Sequence, residues 1–154
     1  MNLRYLSIFA FLLILACGQN STAETTEDVG TTEEEAALEQ AAYESMIAAH
    51  DRVMPRMGEI SRAQIGLRDF MAQEGLSEEQ MNAAKDPFER LEAIHDGMMN
   101  WMQEAMQPLE TVRAELSSHE EVMDFYREKQ ASMEGMEEKL DPTFEQVNAL
   151  LGNE

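Results

Sequence analysis

The sequence predicts an all-α fold: an antiparallel up-down-up three-helix bundle with long helices, some kinked at proline. Three observations predict it. From residue 33 onward the apolar residues recur at steps of three and four, with no strand-like alternation. Three polar pairs at helix-start spacing cut that pattern into thirds: Thr31 with Glu34, Ser77 with Gln80, and Ser118 with Glu121. Aromatic residues make up only 6% of the chain, with 8 glycines and 4 prolines, so neither a β-sandwich nor a nucleotide-binding α/β domain fits.

The first helix is predicted from residue 33 to a stop at Gly75. Its apolar stripe is Met46, His50, Val53, Met57, Ile60, Gln64, Leu67 and Met71. Pro55 falls inside it, where the missing N–H predicts a kink. The second helix carries a heptad: Met81, Ala84, Phe88, Leu91, His95, Met98, Met102, Ala105, Leu109, Val112 and Leu116. Asp86-Pro87 predicts a restart with Asp86 as cap, and Pro108 a possible split. The third helix has the stripe Val122, Tyr126, Lys129, Met133, Met136, Leu140, Thr143, Val147 and Leu150, with a possible restart at Asp141-Pro142 and an end at Gly152. Short connections make consecutive helices antiparallel, and the three lengths match to within about two turns.

Residues 1–16 have the layout of an export signal: Arg4, then an apolar run from Leu6 to Leu15, then the small Ala16. The run is shorter than the roughly 20 apolar residues a membrane span needs. Cys17, the only cysteine, follows directly, which reads as a lipobox with lipid attached to Cys17. Several acyl chains at about 0.8 kcal/mol per buried CH₂ would anchor the chain firmly. Residues 17–32 read as the lipidated cysteine and an acidic flexible tether, and 33–154 as the bundle. Gly18 after the cysteine suggests the outer membrane. The expected location is therefore the bacterial cell envelope, lipid-anchored, facing the periplasm or the cell surface.

A formal charge of −20 argues against nucleic acid as partner and describes mainly a solvated helical surface. The implied partners are the membrane, through the lipid on Cys17, and a protein of the envelope. Enzyme signatures are absent. No serine or cysteine nucleophile stands with a base, no glycine loop is present for phosphate, and His119-Glu120-Glu121-Val122-Met123 lacks the second histidine of a zinc-protease motif.

The chain has 3 histidines and 13 methionines. Each histidine begins the same string, histidine-acid-two residues-methionine, at His50, His95 and His119. Folding the helices about their turns predicts that His50, Met57, His95, Met98, Met102 and Met133 meet at mid-bundle, with Met136 beside them. Thioether and imidazole suit a soft ion, so these six are the candidate residues for copper, most plausibly Cu(I). The competing expectation is a methionine-rich core with two satisfied histidines and no cofactor, because methionine fills irregular space. A third is a methionine-rich groove of a small envelope chaperone. His119, at a helix start, is expected to be exposed. Trp101 is expected to close the second helix's seam as a large anchor.

The strings His50-Asp51-Arg52-Val53-Met54-Pro55-Arg56-Met57-Gly58-Glu59-Ile60, Met98-Met99-Asn100-Trp101-Met102 and Val122-Met123-Asp124-Phe125-Tyr126 resemble a group of small lipoproteins of Bacteroidota, loosely labelled viral A-type inclusion protein-like. The resemblance spans roughly 43–151 together with the leader type. It implies a lipid-anchored helical bundle in the envelope, and it brings no agreed activity and no assigned site residues.

Overall fold

The computed structural model describes residues 31–152, which are helical throughout apart from short connections. The leader, Cys17 and most of the tether lie outside the described residues. Five α-helices follow one another: α1 (Glu33–Val53), α2 (Met57–Met71), α3 (Glu78–Ala105), α4 (Leu109–Glu115) and α5 (His119–Leu151). A 3-10 segment, Met54–Arg56, joins α1 to α2.

Local chemistry sets the helix starts. Thr32, not Thr31, caps α1: its Oγ1 accepts from the Glu35 N–H at 3.2 Å, and the Glu35 carboxylate accepts from the Thr32 N–H at 2.8 Å. Those bonds from Thr32, the backbone one foremost, hold the Glu35 carboxyl below its ordinary range. The predicted pairing of Thr31 with Glu34 is thus one residue out of register. At α3 the predicted box forms, with Gln80 N–H on Ser77 Oγ at 3.1 Å and Ser77 N–H on Gln80 Oε1 at 3.0 Å. Ser118 caps α5 through the Glu121 N–H at 3.3 Å. Acidic residues fill the first turns of all three helices, where the exposed amides favour negative charge. Gly152 (φ 68°) is the left-handed cap that ends α5, whereas α2 ends at Ala72, three residues before the predicted stop, and Gly75 (φ 87°) serves the turn into α3.

The prolines act differently from one another. Pro55 sits in the 3-10 segment, so the α-helical ladder is interrupted where its N–H is missing. Pro108 precedes α4 as its N-cap residue, and the predicted second helix is indeed two, α3 and α4. Neither Pro87 nor Pro142 restarts a helix: both lie inside continuous helices, α3 and α5. Each proline costs one backbone bond, and the surrounding packing outweighs it. Pro87 is itself buried, and Asp86, predicted as a cap, instead pairs with Arg90 one turn on.

Contacts between helices run in consistent order. From α1, the 3-10 segment and α2 to α5 they ascend together: Glu39 with His119, Tyr43 with Tyr126, Arg52 with Glu137, Arg56 of the 3-10 segment with Asp141, and Gly66 against Leu151. From α3 to α5 they descend: Lys129 with Glu104, Met136 against Gly97, Arg90 with Gln146. At α2 and α3, Arg68 lies over the Phe88 ring, 5.6 Å from its centroid.

The core lies along these contacts. On α1 and α2 the buried positions include Glu39, Met46, Val53, Ile60 and Leu67, each seven residues from the next. On α5 they are Val122, Tyr126, Met133, Met136, Leu140, Thr143 and Val147, all on the predicted stripe. On α3 they are Ala84, Pro87, Leu91, Ile94, Met98, Trp101 and Ala105. That heptad shares every second member with the predicted one. In the alternate layers, however, Pro87, Ile94 and Trp101 replace Phe88, His95 and Met102. The helix turns its more apolar edge inward: burying Ile94 and Trp101 removes more apolar area from water than His95 would and strands no ring nitrogen.

Candidate functional site

Two polar constellations lie inside this apolar framework. One is at mid-bundle around His50, and the other is at the end formed by the start of α1, α4 and the start of α5.

His50 is the buried histidine, 7% exposed. Its Nδ1 stands 3.0 Å from Asp51 Oδ1. An ionised carboxylate can only accept, so in the neutral ring Nδ1 carries the proton and Nε2 the lone pair. That Nε2 is buried and has no hydrogen-bond partner. The ring stacks on Trp101 with centroids 5.4 Å apart and planes 12° from parallel. Trp101 is fixed in turn by its indole N–H, which donates to the Lys129 backbone oxygen at 2.8 Å. The adjacent carboxylate thus orients the ring despite its position one residue along the helix.

The six residues predicted to converge fare unequally. Met98 and Met133 are fully buried. Flanking contacts Tyr43–Tyr126 and Arg52–Glu134 put Met133 at the level of His50. Met98 is one turn from Trp101 on the same buried edge of α3. Met57 and Met102 are only partly buried and pack on the edge of the core. His95 stands off the buried seam, its side chain 39% exposed, with Nδ1 3.3 Å from Asp96 Oδ1. No three His, Cys, Asp or Glu side chains converge as a metal site among the described residues. Met136 packs its Sδ against the bare face of Gly97, where an added Cβ would come within 3.1 Å. Gly58 and Gly135 show no such close approach. A cleft of about 470 Å³, lined in part by Ile94, Met136, Lys139 and Pro142, opens beside this level.

The second constellation centres on Glu39, 1% exposed. Its carboxylate accepts from the Arg113 guanidinium through one oxygen and meets His119 Nδ1 at 2.8 Å through the other. Arg113 also donates to the Ala36 backbone oxygen at 3.1 Å. His119 is therefore not simply exposed: its side chain is 26% accessible and closes onto Glu39. Tyr126 lies beneath, fully buried, its ring edge-on to Tyr43 with centroids 5.7 Å apart. Its hydroxyl has no partner, and burial, aided by Tyr43, pushes the phenol up to about 12. Arg113 and Glu39 were not singled out by the sequence reading. For Glu39 a signal existed, because the seven-residue step 67, 60, 53, 46 lands on it when carried one step further.

The exposed large apolar side chains, Leu38, Met54, Ile65, Met99 and Met106, are distributed along the chain from α1 to the turn after α3. Met98, Met133 and Met136 are core residues. No helix among the described residues is long and apolar enough to cross a membrane. No family model, curated protein or solved structure matches the chain.

Proposed function

We propose that this protein is a lipid-anchored component of the bacterial cell envelope, outer-membrane bound, that acts by binding or as structure and not as an enzyme. The observation that carries the reading is the order of segments: an export leader, Cys17 at its end, an acidic stretch, then a helical body. The ascending contacts of α1 and α2 with α5, and the descending ones of α3, support an up-down-up three-helix body with α4 as an added turn of the second limb. α5 alone, 33 residues long, would extend about 50 Å at 1.5 Å per residue. That length suits a rigid binding or spacing element. The resemblance to small lipoproteins of Bacteroidota points the same way.

The test is acylation of the chain in a bacterial host. Radiolabelled palmitate should enter the wild-type chain and fractionate with the outer membrane, while Cys17→Ala should be unlabelled and leave that fraction. An unlabelled wild type, or a Cys17→Ala variant that keeps both label and location, would defeat the proposal.

A further inference from the structure

The buried nitrogen of His50 has a use that packing does not give it. A histidine ring inside an apolar layer, with one nitrogen on a carboxylate and the other bare, keeps an oriented lone pair in a place where water is scarce. An interior nitrogen of this kind ordinarily finds a donor or is replaced by an apolar group. Within about one turn of its level the core holds two fully buried thioethers, which are soft and uncharged. Met133 stands at its level on α5, and Met98 one turn from its stacking partner Trp101 on α3. Both are fully buried, so neither is held by solvent.

We propose that His50 Nε2, Met98 and Met133 form a site for a single Cu(I) ion. Imidazole and thioether are the ligand types this ion prefers, and three uncharged donors are enough for it. In the neutral ring the Asp51 contact places the proton on Nδ1, so Nε2 carries the lone pair a metal needs. The one positive charge brought inside is offset by the Asp51 carboxylate on the far side of the ring. A divalent ion would bring twice the charge to the same neutral donors and would need harder or anionic ligands, so the site discriminates against Zn(II). Cu(II) is disfavoured for the same reason. Met57, Met102 and His95, which sequence spacing groups with these residues, take no part. The inference deepens the binding role proposed above and rests on it for its biological setting only, since lipidation of Cys17 is measured without metal.

The test titrates the full-length chain in detergent, carrying Cys17→Ser so that no thiol competes. Cu(I) is supplied anaerobically from a bicinchoninate buffer. One equivalent should bind with Kd below micromolar and quench the emission of Trp101, the only tryptophan, which is stacked on the ligand ring. His50→Leu should weaken binding by about a hundredfold and Met133→Leu by about tenfold, with helical circular dichroism retained. His95→Leu should leave affinity unchanged, and equimolar Zn(II) should not compete. Binding no tighter than micromolar, equal affinity in folded His50→Leu, or an equal loss in His95→Leu would overturn the site. Palmitate labelling of the wild-type chain would in each case still report on the anchor.

Discussion

Replacing Arg113 by methionine isolates what the Glu39 carboxylate needs. Glu39 is 1% exposed and its two oxygens are held by Arg113 and His119. Removing one partner of a buried ion pair costs about 3–5 kcal/mol, because the remaining charge is left in a poor solvent. Arg113 is 31% exposed, so water can enter part of the space it leaves, and the cost falls to about 2–3 kcal/mol. In a domain of this size that is a fall of about 8–12 °C in Tm. Glu39→Met should behave in the opposite sense. It puts an apolar side chain on a buried seven-residue stripe and frees the partly exposed Arg113 and His119 side chains to reach water, so its effect should stay within about 1 kcal/mol of zero. The double variant should then match Glu39→Met, giving a coupling of at least about 1.5 kcal/mol in a double-mutant cycle. Urea unfolding followed by circular dichroism at 222 nm measures all four proteins. Additive effects, or an Arg113→Met variant within about 0.5 kcal/mol of wild type, would refute the reasoning that Glu39 is a buried charge dependent on its partners.

Further outcomes concern Tyr126, the helix caps and Trp101. Tyr126 holds its proton more tightly when folded, so stability is full below about pH 10 and falls as pH rises toward 12. The loss reaches at most about 2–3 kcal/mol and should be absent in Tyr126→Phe, as read from urea midpoints across that range. Near neutral pH the same Tyr126→Phe change should cost less than about 0.5 kcal/mol, since the hydroxyl has no partner to lose; a larger loss would reveal one. Ser77→Ala removes one half of the box at the start of α3 and should cost about 1 kcal/mol, whereas Thr31→Ala should cost nothing measurable because Thr32 is the cap. Trp101→Phe removes the indole donor to the Lys129 oxygen and should cost about 1–3 kcal/mol in thermal unfolding, a value near zero showing the bond to be idle.

Much of the fold was legible because helices bury regular stripes. Every buried residue of α5 was on its predicted stripe, since the alternatives are mostly polar, although Lys129 and Leu150 on the same stripe are only partly buried. The α3 seam was not, because both of its edges are apolar at every other layer. Phe88 competes with Pro87 and Met102 with Trp101, so periodicity alone left the rotation of the helix open, and His95 was placed inside by the choice of the wrong edge. The proline outcomes depended on what surrounds each ring. Pro142 is tolerated in a helix packed along its length, while Pro55 falls between helices that need not be continuous. His50 was legible as a polar residue on a core stripe, and its unpartnered Nε2 follows from the packing against Trp101. The Glu39 constellation joins residues more than seventy positions apart, and no local pattern ties a glutamate in α1 to an arginine in α4.

The ascending contacts between α1 and α5 carry a kinetic consequence. The bonds that seat α1 close loops of 74 to 85 residues, whereas those joining α3 to α5 close 25 to 56. Shorter loops close at smaller entropic cost, so the α3–α5 hairpin can assemble early and α1 docks late. A chain delivered from its N-terminus, by a ribosome or an export channel, releases α1 first. Met46, Val53 and their neighbours must then wait, uncovered, until the last helix arrives. Between those two moments the protein is most open to aggregation and to capture by whatever escorts it.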